Sequence, residues 1–572
     1  MKKERLIHLY TEEGETLSRT PWNVYPRPQL KRDSFFSLNG EWSIRCNGGE
    51  WESITVPFAP ESLLSGICRS MGKKAYLEYE KKFSLPKDFI NERVILHFDA
   101  VDSVASVILN GKDLGEHIGG YLPFSFDITD CLNDKNVLTV TVYDENQSKT
   151  LPYGKQRYDR GGMWYTPISG IWQSVWLESV PESYVKDLRI ETGKDFAKIT
   201  AEGVSDGEVT VKTPSGELSL PLIDGKALIK LENPRLWSPE SPYLYEFTVK
   251  SEKDLVRSYF AIRTLTVEEF NGVKRLCLNG KPYFFHALLD QGYFSDGIFT
   301  PATPECYEKD VLTARSLGFN TLRKHIKIEP ELFYYYCDKH GMIVFQDMVN
   351  NGGYSFIRDT ALPTLFPIYK AFPDKLLYRS KSVRAEFEKA MRETVKHLYS
   401  HPCICYFTVF NEGWGQFESQ RMYKLIKSLD SSRFIDTASG WFSGAESDVV
   451  SPHIYFKPVK IKPSDKPTLL SEFGGYSHKV KYHSFNLDKE YGYRFFKEQA
   501  PFEDALEKLY EEEIIPAVRN GLSGSVYTQL SDVEDETNGL ITYDRRIIKV
   551  TKERMLKIAK SLSEEMKSAC EK

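Results

Sequence analysis

The chain has 572 residues, 41% of them hydrophobic and 27% charged, with a net charge of −5; that suffices for about three packed domains at roughly 100–200 residues each and excludes a disordered chain. The mild acidic balance leaves no basic excess to attract nucleic acid or an anionic membrane, and the chain lacks the run of about 18 apolar residues that a membrane span needs. Its nine cysteines are scattered without a CxxC spacing, and Met1 to Tyr10 carries no apolar core, so a reduced, cytoplasmic protein without zinc site, disulfide framework or secretory signal is expected.

Residues 20–180 alternate apolar and polar with period two, as in 94–98, 106–109 and 137–142, and Asn110-Gly111 directly after the second run is a two-residue hairpin signal. This predicts an antiparallel β-sandwich over residues 1–181. The pattern repeats on a smaller scale in 182–266, with runs at 209–211, 227–229 and 244–249 punctuated by Pro and Gly, which predicts an immunoglobulin-like sandwich. From about 275 the rhythm changes to short apolar runs separated by helical periodicity. Strands are predicted at 282–285, 321–322, 342–345, 404–409, 434–437, 449–454, 467–470 and 524–528, with helices at 305–317, 330–340 and 382–400. Eight strands interleaved with helices predict a (β/α)₈ barrel over 267–572.

In such a barrel the chemistry sits where strands end and loops begin. The fourth run leads into Asn411-Glu412-Gly413-Trp414, and the seventh into Ser471-Glu472-Phe473-Gly474. A single Glu at a strand end is ordinarily a helix cap or an ion-pair partner. Two Glu delivered to one barrel face are the equipment of a glycosidase, an acid/base and a partner carboxylate. An aromatic content of 13% suits stacking on sugar rings, although β-rich structure also favours aromatics.

At these residues the chain resembles glycoside hydrolase family 2, the family of β-galactosidases, β-glucuronidases and β-mannosidases. Asn411-Glu412 is similar to its acid/base motif and Glu472 to its nucleophile. Leu38-Asn39-Gly40-Glu41-Trp42, Val56-Pro57-Phe58 and Gly119-Gly120-Tyr121-Leu122-Pro123-Phe124 resemble its N-terminal jelly-roll, galactose-binding-like sandwich. Ser169-Gly170-Ile171-Trp172 with Val175-Trp176-Leu177-Glu178 resembles the exit into its immunoglobulin-like domain, and Leu236-Trp237-Ser238-Pro239-Glu240 through Leu244-Tyr245 is similar to a late strand of that domain.

The resemblance implies a retaining exo-β-glycosidase working by double displacement on a carbohydrate or glycoconjugate, without cofactor or metal. It implies Asn411 on the sugar 2-hydroxyl, Tyr455 orienting the nucleophile and Arg323 beneath it, where a cation keeps a carboxylate ionised. His453 (in the stretch Pro452 to Tyr455), Asp290, Trp414 and Gln529 are further expected sugar-contacting positions. Asp347 is expected as a structural partner of Arg323 or Lys324, and the long aromatic connection 349–381 as a wall of the site. Family members are often dimers or tetramers, which makes a homo-oligomer the corresponding expectation.

Three departures bear on the sugar. Where relatives carry Arg-x-Ser-His after strand two, this chain has Arg323-Lys324-His325-Ile326, the histidine one place early. Trp164 stands where they offer an Asp. Glu536-Thr537-Asn538 replaces the Asn-x-Lys with which glucuronidases hold a carboxylate. Lacking that lysine, and with Glu536 to repel an anion, the chain is expected to take a neutral sugar. Galactose comes first, then glucose, with mannose or a uronic acid less favoured. The alternative class is an inactive carbohydrate-binding protein on the same scaffold.

Overall fold

The computed structural model describes residues 4–571 except 147, 366–373, 375, 376, 378 and 379; part of the 349–381 connection therefore lies outside the described residues. The N-terminal unit is a sandwich of a six-stranded and a four-stranded antiparallel sheet. Its central pair, Lys74–Phe83 with Asn136–Glu145, is in register over the whole length of both strands. Along Asn136–Glu145 every second residue is buried, the signature of a sheet with one face on the core. That core is aliphatic and aromatic, with Trp42, Ile44, Leu77, Tyr79, Leu96 and Val140 at 2% exposure or less. Asn110-Gly111 closes the hairpin of Val104–Leu109 and Lys112–Ile118, with φ of 52° and 79°, the left-handed pair that a two-residue turn requires. The second unit packs a three-stranded sheet on a four-stranded one, as expected of an immunoglobulin-like sandwich.

The third unit is an eight-stranded parallel sheet: β1 Phe285–Asp290, β2 Thr321–Lys324, β3 Ile343–Asp347, β4 Ile404–Asn411, β5 Phe434–Ser439, β6 His453–Ile454, β7 Thr468–Gly474 and β8 Leu522–Thr528. The ladder runs β5-β4-β3-β2-β1-β8-β7-β6. The remaining gap between β5 and β6 is spanned by Asp448 N to Ile435 O and Gly440 N to Ser451 O, both 2.9 Å, so the sheet is nearly closed. Helices, among them Glu305–Ser316, Glu331–His340 and Lys381–Leu398, separate the strands. No helix among the described residues is long and apolar enough to cross a membrane.

Two features differ from the sequence reading. The first barrel strand is Phe285–Asp290, not 282–285. Lys281–Pro282 instead pairs antiparallel with Val273–Leu278 in a separate three-stranded sheet; Pro282 has no N–H to give to a central ladder. The strands β2, β3, β4, β5 and β7 also run past their apolar stretches. Lys324, Asp347, Asn411 and Glu472 still pair across the sheet, as in Asn411 with Ser439 and His453 with Glu472. Arg323, Asp347, Asn411, His453 and Glu472 therefore stand on strand, while Glu412, His325 and Tyr455 sit one residue past a strand end.

Candidate active site

Arg323 on β2 organises the floor of the mouth. Its Nε donates to Asp347 Oδ1 (3.0 Å), its Nη1 to Glu472 Oε1 (3.1 Å) and the Ser471 carbonyl (2.9 Å), and its Nη2 to Asn411 Oδ1 (2.8 Å). One planar guanidinium thus touches the ends of β3, β4 and β7, which its fork geometry allows and an ammonium would not. The bond to Asn411 Oδ1 also orients that amide, leaving its Nδ2 directed elsewhere.

Asp347 is shared between Arg323 and His325, whose Nδ1 lies 2.7 Å from Oδ2. The displaced histidine therefore belongs to the site. Strand β2 ends at Lys324, and Ile326 turns the chain with φ of 55°, so the strict alternation of faces no longer applies to His325. Lys324, one residue after Arg323 and on the other side of the strand, pairs with Asp290 (2.6 Å) and Glu329 (2.8 Å). Of the two partners expected for Asp347, the structure has Arg323. Asp290 is buried, with Lys324 Nζ on one of its oxygens and Gly292 N (2.9 Å) on the other, the loop-fixing arrangement of a carboxylate that follows a strand.

The two glutamates converge from β4 and β7. Glu412 is 21% exposed and its Oε1 lies 2.8 Å from His453 Nδ1. Its backbone sits at φ 50°, fixed by a bond from its N–H to the Ser439 carbonyl (2.9 Å); a non-glycine residue held in this region is strained and marks a site worth attention. Glu472 is buried. Tyr455 donates to its Oε2 (2.6 Å) and also meets Thr528 Oγ1 (2.8 Å), while His453 Nδ1 is 3.5 Å away. Burial pushes the Glu472 carboxyl up, but His453, Arg323 and His325, with the Tyr455 hydroxyl, hold it down at about 2. Glu412, His453 and Glu472 bring their nearest ligand-type atoms within 4.8 Å of one another, a set that could also hold a metal ion.

The walls come from farther along the chain. Trp414 is buried with Nε1 on the Gly352 carbonyl (3.1 Å), and its ring meets Trp164 edge-on at 5.2 Å and Tyr153 at 5.4 Å. Tyr354, from the described part of the 349–381 connection, packs on Trp164 at 4.9 Å. Gln529 is buried, and its amide donates to Glu536 (2.8 Å) and Asn538 (2.7 Å). Tyr165 from the N-terminal sandwich also bonds Glu536. Tyr493, which no sequence signal indicated, stacks on Tyr455 at 3.8 Å and 6°. It lies in an aperiodic stretch after β7, where Tyr491-Gly492-Tyr493 offers an aromatic pair but no strand or helix pattern.

Three family models match the chain: a glycosyl hydrolase 2 galactose-binding domain-like unit over residues 51–165, glycosyl hydrolases family 2 over 184–263, and the family 2 TIM barrel domain over 273–503. The chain belongs to glycosyl hydrolase family 2. A β-galactosidase of Thermoanaerobacter pseudethanolicus is 24% identical over 499 residues, covering 80% of this chain and 63% of that protein. A β-glucuronidase of Bacteroides fragilis is 25% identical over 410 residues, covering 66% of this chain and 56% of that protein. The family 2 chain thus spans about three fifths of the length of these curated relatives. A β-glucuronidase of an uncultured Clostridium sp. has the same fold, with TM-score 0.74 and 18% identity over 95% of this chain and 99% of that one.

Proposed function

We propose that the chain is a retaining β-glycosidase in which Glu472 is the nucleophile and Glu412 the acid/base. The observation that carries this reading is the approach of the two carboxylates, whose nearest atoms lie within 4.8 Å. Retaining enzymes separate them by about 5–5.5 Å, whereas inverting enzymes leave about 6.5–9.5 Å for a water. Glu472, ionised and fixed by Arg323 and Tyr455, attacks the anomeric carbon. Glu412 protonates the departing oxygen and then takes a proton from the water that releases the sugar. Asn411, with Oδ1 on Arg323, presents Nδ2 to the 2-hydroxyl.

The glycone favoured by the sequence is a neutral hexose, galactose first, because the lysine of the Asn-x-Lys motif is missing at 536–538. One observation favours a second reading, a uronide. Glu536 is buried, and its Oε2 accepts from both Tyr165 and Gln529. A carboxylate engaged by two protein donors opposes a sugar carboxylate less than a bare one.

The decisive experiment is Glu472→Ala assayed with a nitrophenyl β-glycoside. Turnover is expected to fall by about three to five orders of magnitude, and azide is expected to restore it while yielding the α-glycosyl azide. Survival of hydrolysis in both Glu472→Ala and Glu412→Ala would remove the assignment.

A further inference from the structure

The barrel mouth holds two cations that the proposed catalytic steps do not use. The segment following the last long strand of the N-terminal sandwich carries Lys155, Arg157 and Arg160. Arg160 is neutralised by Glu4, Glu534 and Asp535 at 3.1–3.4 Å. Lys155 and Arg157 are not: among the described residues neither side chain lies within ion-pair or hydrogen-bond reach of a carboxylate. Both sit instead over the Trp164 ring, the Lys155 Nζ at 5.5 Å from its centre and the Arg157 guanidinium at 4.9 Å.

Lys155 is only 9% exposed. Removing an ammonium from water without a counter-ion is more costly than a single ring contact offsets. The segment does not move these groups out of the way, because its backbone is pinned. Tyr165 N donates to the Lys155 carbonyl (3.1 Å), Arg157 N to the Tyr165 carbonyl (3.0 Å), and Ile168 N to Gln156 Oε1 (2.7 Å). The same segment sets Trp164 against Trp414, two residues beyond Glu412, and Tyr165 on Glu536.

The Trp164 ring beneath Lys155 packs on Trp414, two residues beyond Glu412, and its neighbour Tyr165 bonds Glu536, which places the Lys155 ammonium at the wall of the mouth. Glu536 is not its counter-ion. No bond joins them, and the Glu536 oxygen Oε2 already accepts from Tyr165 and Gln529.

We propose that Lys155 and Arg157, held over Trp164, recognise an anionic substituent of the bound sugar, a carboxylate or a sulfate ester, in place of the lysine missing from 536–538. This rests on the glycosidase reading above and names the substrate class for it. The anion supplies the counter-charge that the protein lacks. The point charge of Lys155 and the planar donor array of Arg157 suit either oxyanion.

The test uses the intact protein with nitrophenyl β-galactoside, β-galacturonide, β-glucuronide and 6-sulfo-β-galactoside. The wild type is expected to favour one of the charged glycosides over the neutral one, and which of them distinguishes carboxylate from sulfate. Lys155→Met is expected to raise KM for that substrate by about 10- to 100-fold, with a smaller change in kcat, and Lys155→Arg to recover most of it. Added salt is expected to raise the same KM. Preference for the neutral galactoside, or an equal KM change for charged and neutral substrates in Lys155→Met, overturns the anion site while leaving the glycosidase reading intact. If no glycoside is hydrolysed, the glycosidase reading fails. Calorimetric titration with glucuronic acid, galacturonic acid and galactose 6-sulfate then decides the site by itself, and equal binding by wild type and Lys155→Met overturns it.

Discussion

A chain of hydrogen bonds leads from the barrel wall to Glu412. The Ser471 hydroxyl donates to the Ser451 carbonyl (3.1 Å) and the Ser439 hydroxyl to Ser471 Oγ (2.9 Å). Each hydroxyl has one proton, so Ser439 accepts from His453 Nε2, 2.9 Å away. The histidine's Nδ1 faces Glu412 Oε1 at 2.8 Å. The imidazole is thus anchored from behind by Ser439 and fixes the Glu412 carboxyl by a hydrogen bond at the oxygen side where an acid/base exchanges its proton. His453→Gln should therefore cost kcat about 10- to 100-fold for substrates with poor leaving groups and little for a dinitrophenyl glycoside; equal losses on both would contradict a role in protonation. Arg323→Lys tests the other carboxylate. With Glu472 held at about 2, the wild-type nucleophile stays ionised through mildly acid pH. Weakening the cation disfavours the charged form, so its pKa rises and the acid limb of the kcat/KM profile moves to higher pH. The two glutamates and Arg323 were legible because each stands one or two places past an apolar run. Ser439 and Ser471 were not, since small polar residues inside strands carry no pattern of their own, and Lys155 was missed because nothing local ties it to the barrel.

The barrel strands were located by their apolar runs, but their ends were not, because the runs stop where the mouth begins while the backbone ladder continues. Strand β8 shows how closely the wall is packed. Gly524 lies between Phe285 of β1 and Leu469 of β7, and a Cβ placed there would stand 2.8 Å from the Phe285 Cβ and carbonyl oxygen and 2.7 Å from Leu469 Cδ1. Backbone is among these neighbours, so the clash is not relieved by a side-chain rotation. Gly524→Ala is expected to destabilise the barrel by about 1–3 kcal/mol, the usual cost of overpacking, and to lower the midpoint of thermal unfolding; an unchanged midpoint would show that β8 slides freely.

At the scale of the molecule, the N-terminal sandwich builds part of the barrel mouth, and its segment rests on a buried acidic cluster. Ser169 donates its N–H and hydroxyl to Glu61 (3.1 and 2.9 Å) and meets Asp144 (3.1 Å), while Gln156, next to Lys155, donates to Asp102 (3.2 Å). Domain order was legible in the change of periodicity, but spacing along the chain carries no record of contacts between domains. Burial pushes Glu61 up to about 8 and Asp102 to about 7. For carboxyls raised on folding, the folded state binds more protons than the unfolded chain between the two pKa values. Stability from this cluster is thus complete below about pH 4 and is lost as pH rises through about 7–8, a change of a few kcal/mol. Other groups titrate too, so the informative quantity is the difference between the unfolding midpoints of Glu61→Gln and wild type. Glutamine keeps the shape without the titration, and the variant should gain on the wild type steadily from pH 5 to pH 8. A difference that stays constant across that range would mean that Glu61 keeps the same charge in the folded and unfolded chain, and that the cluster under Ser169 does not set how the sandwich responds to pH.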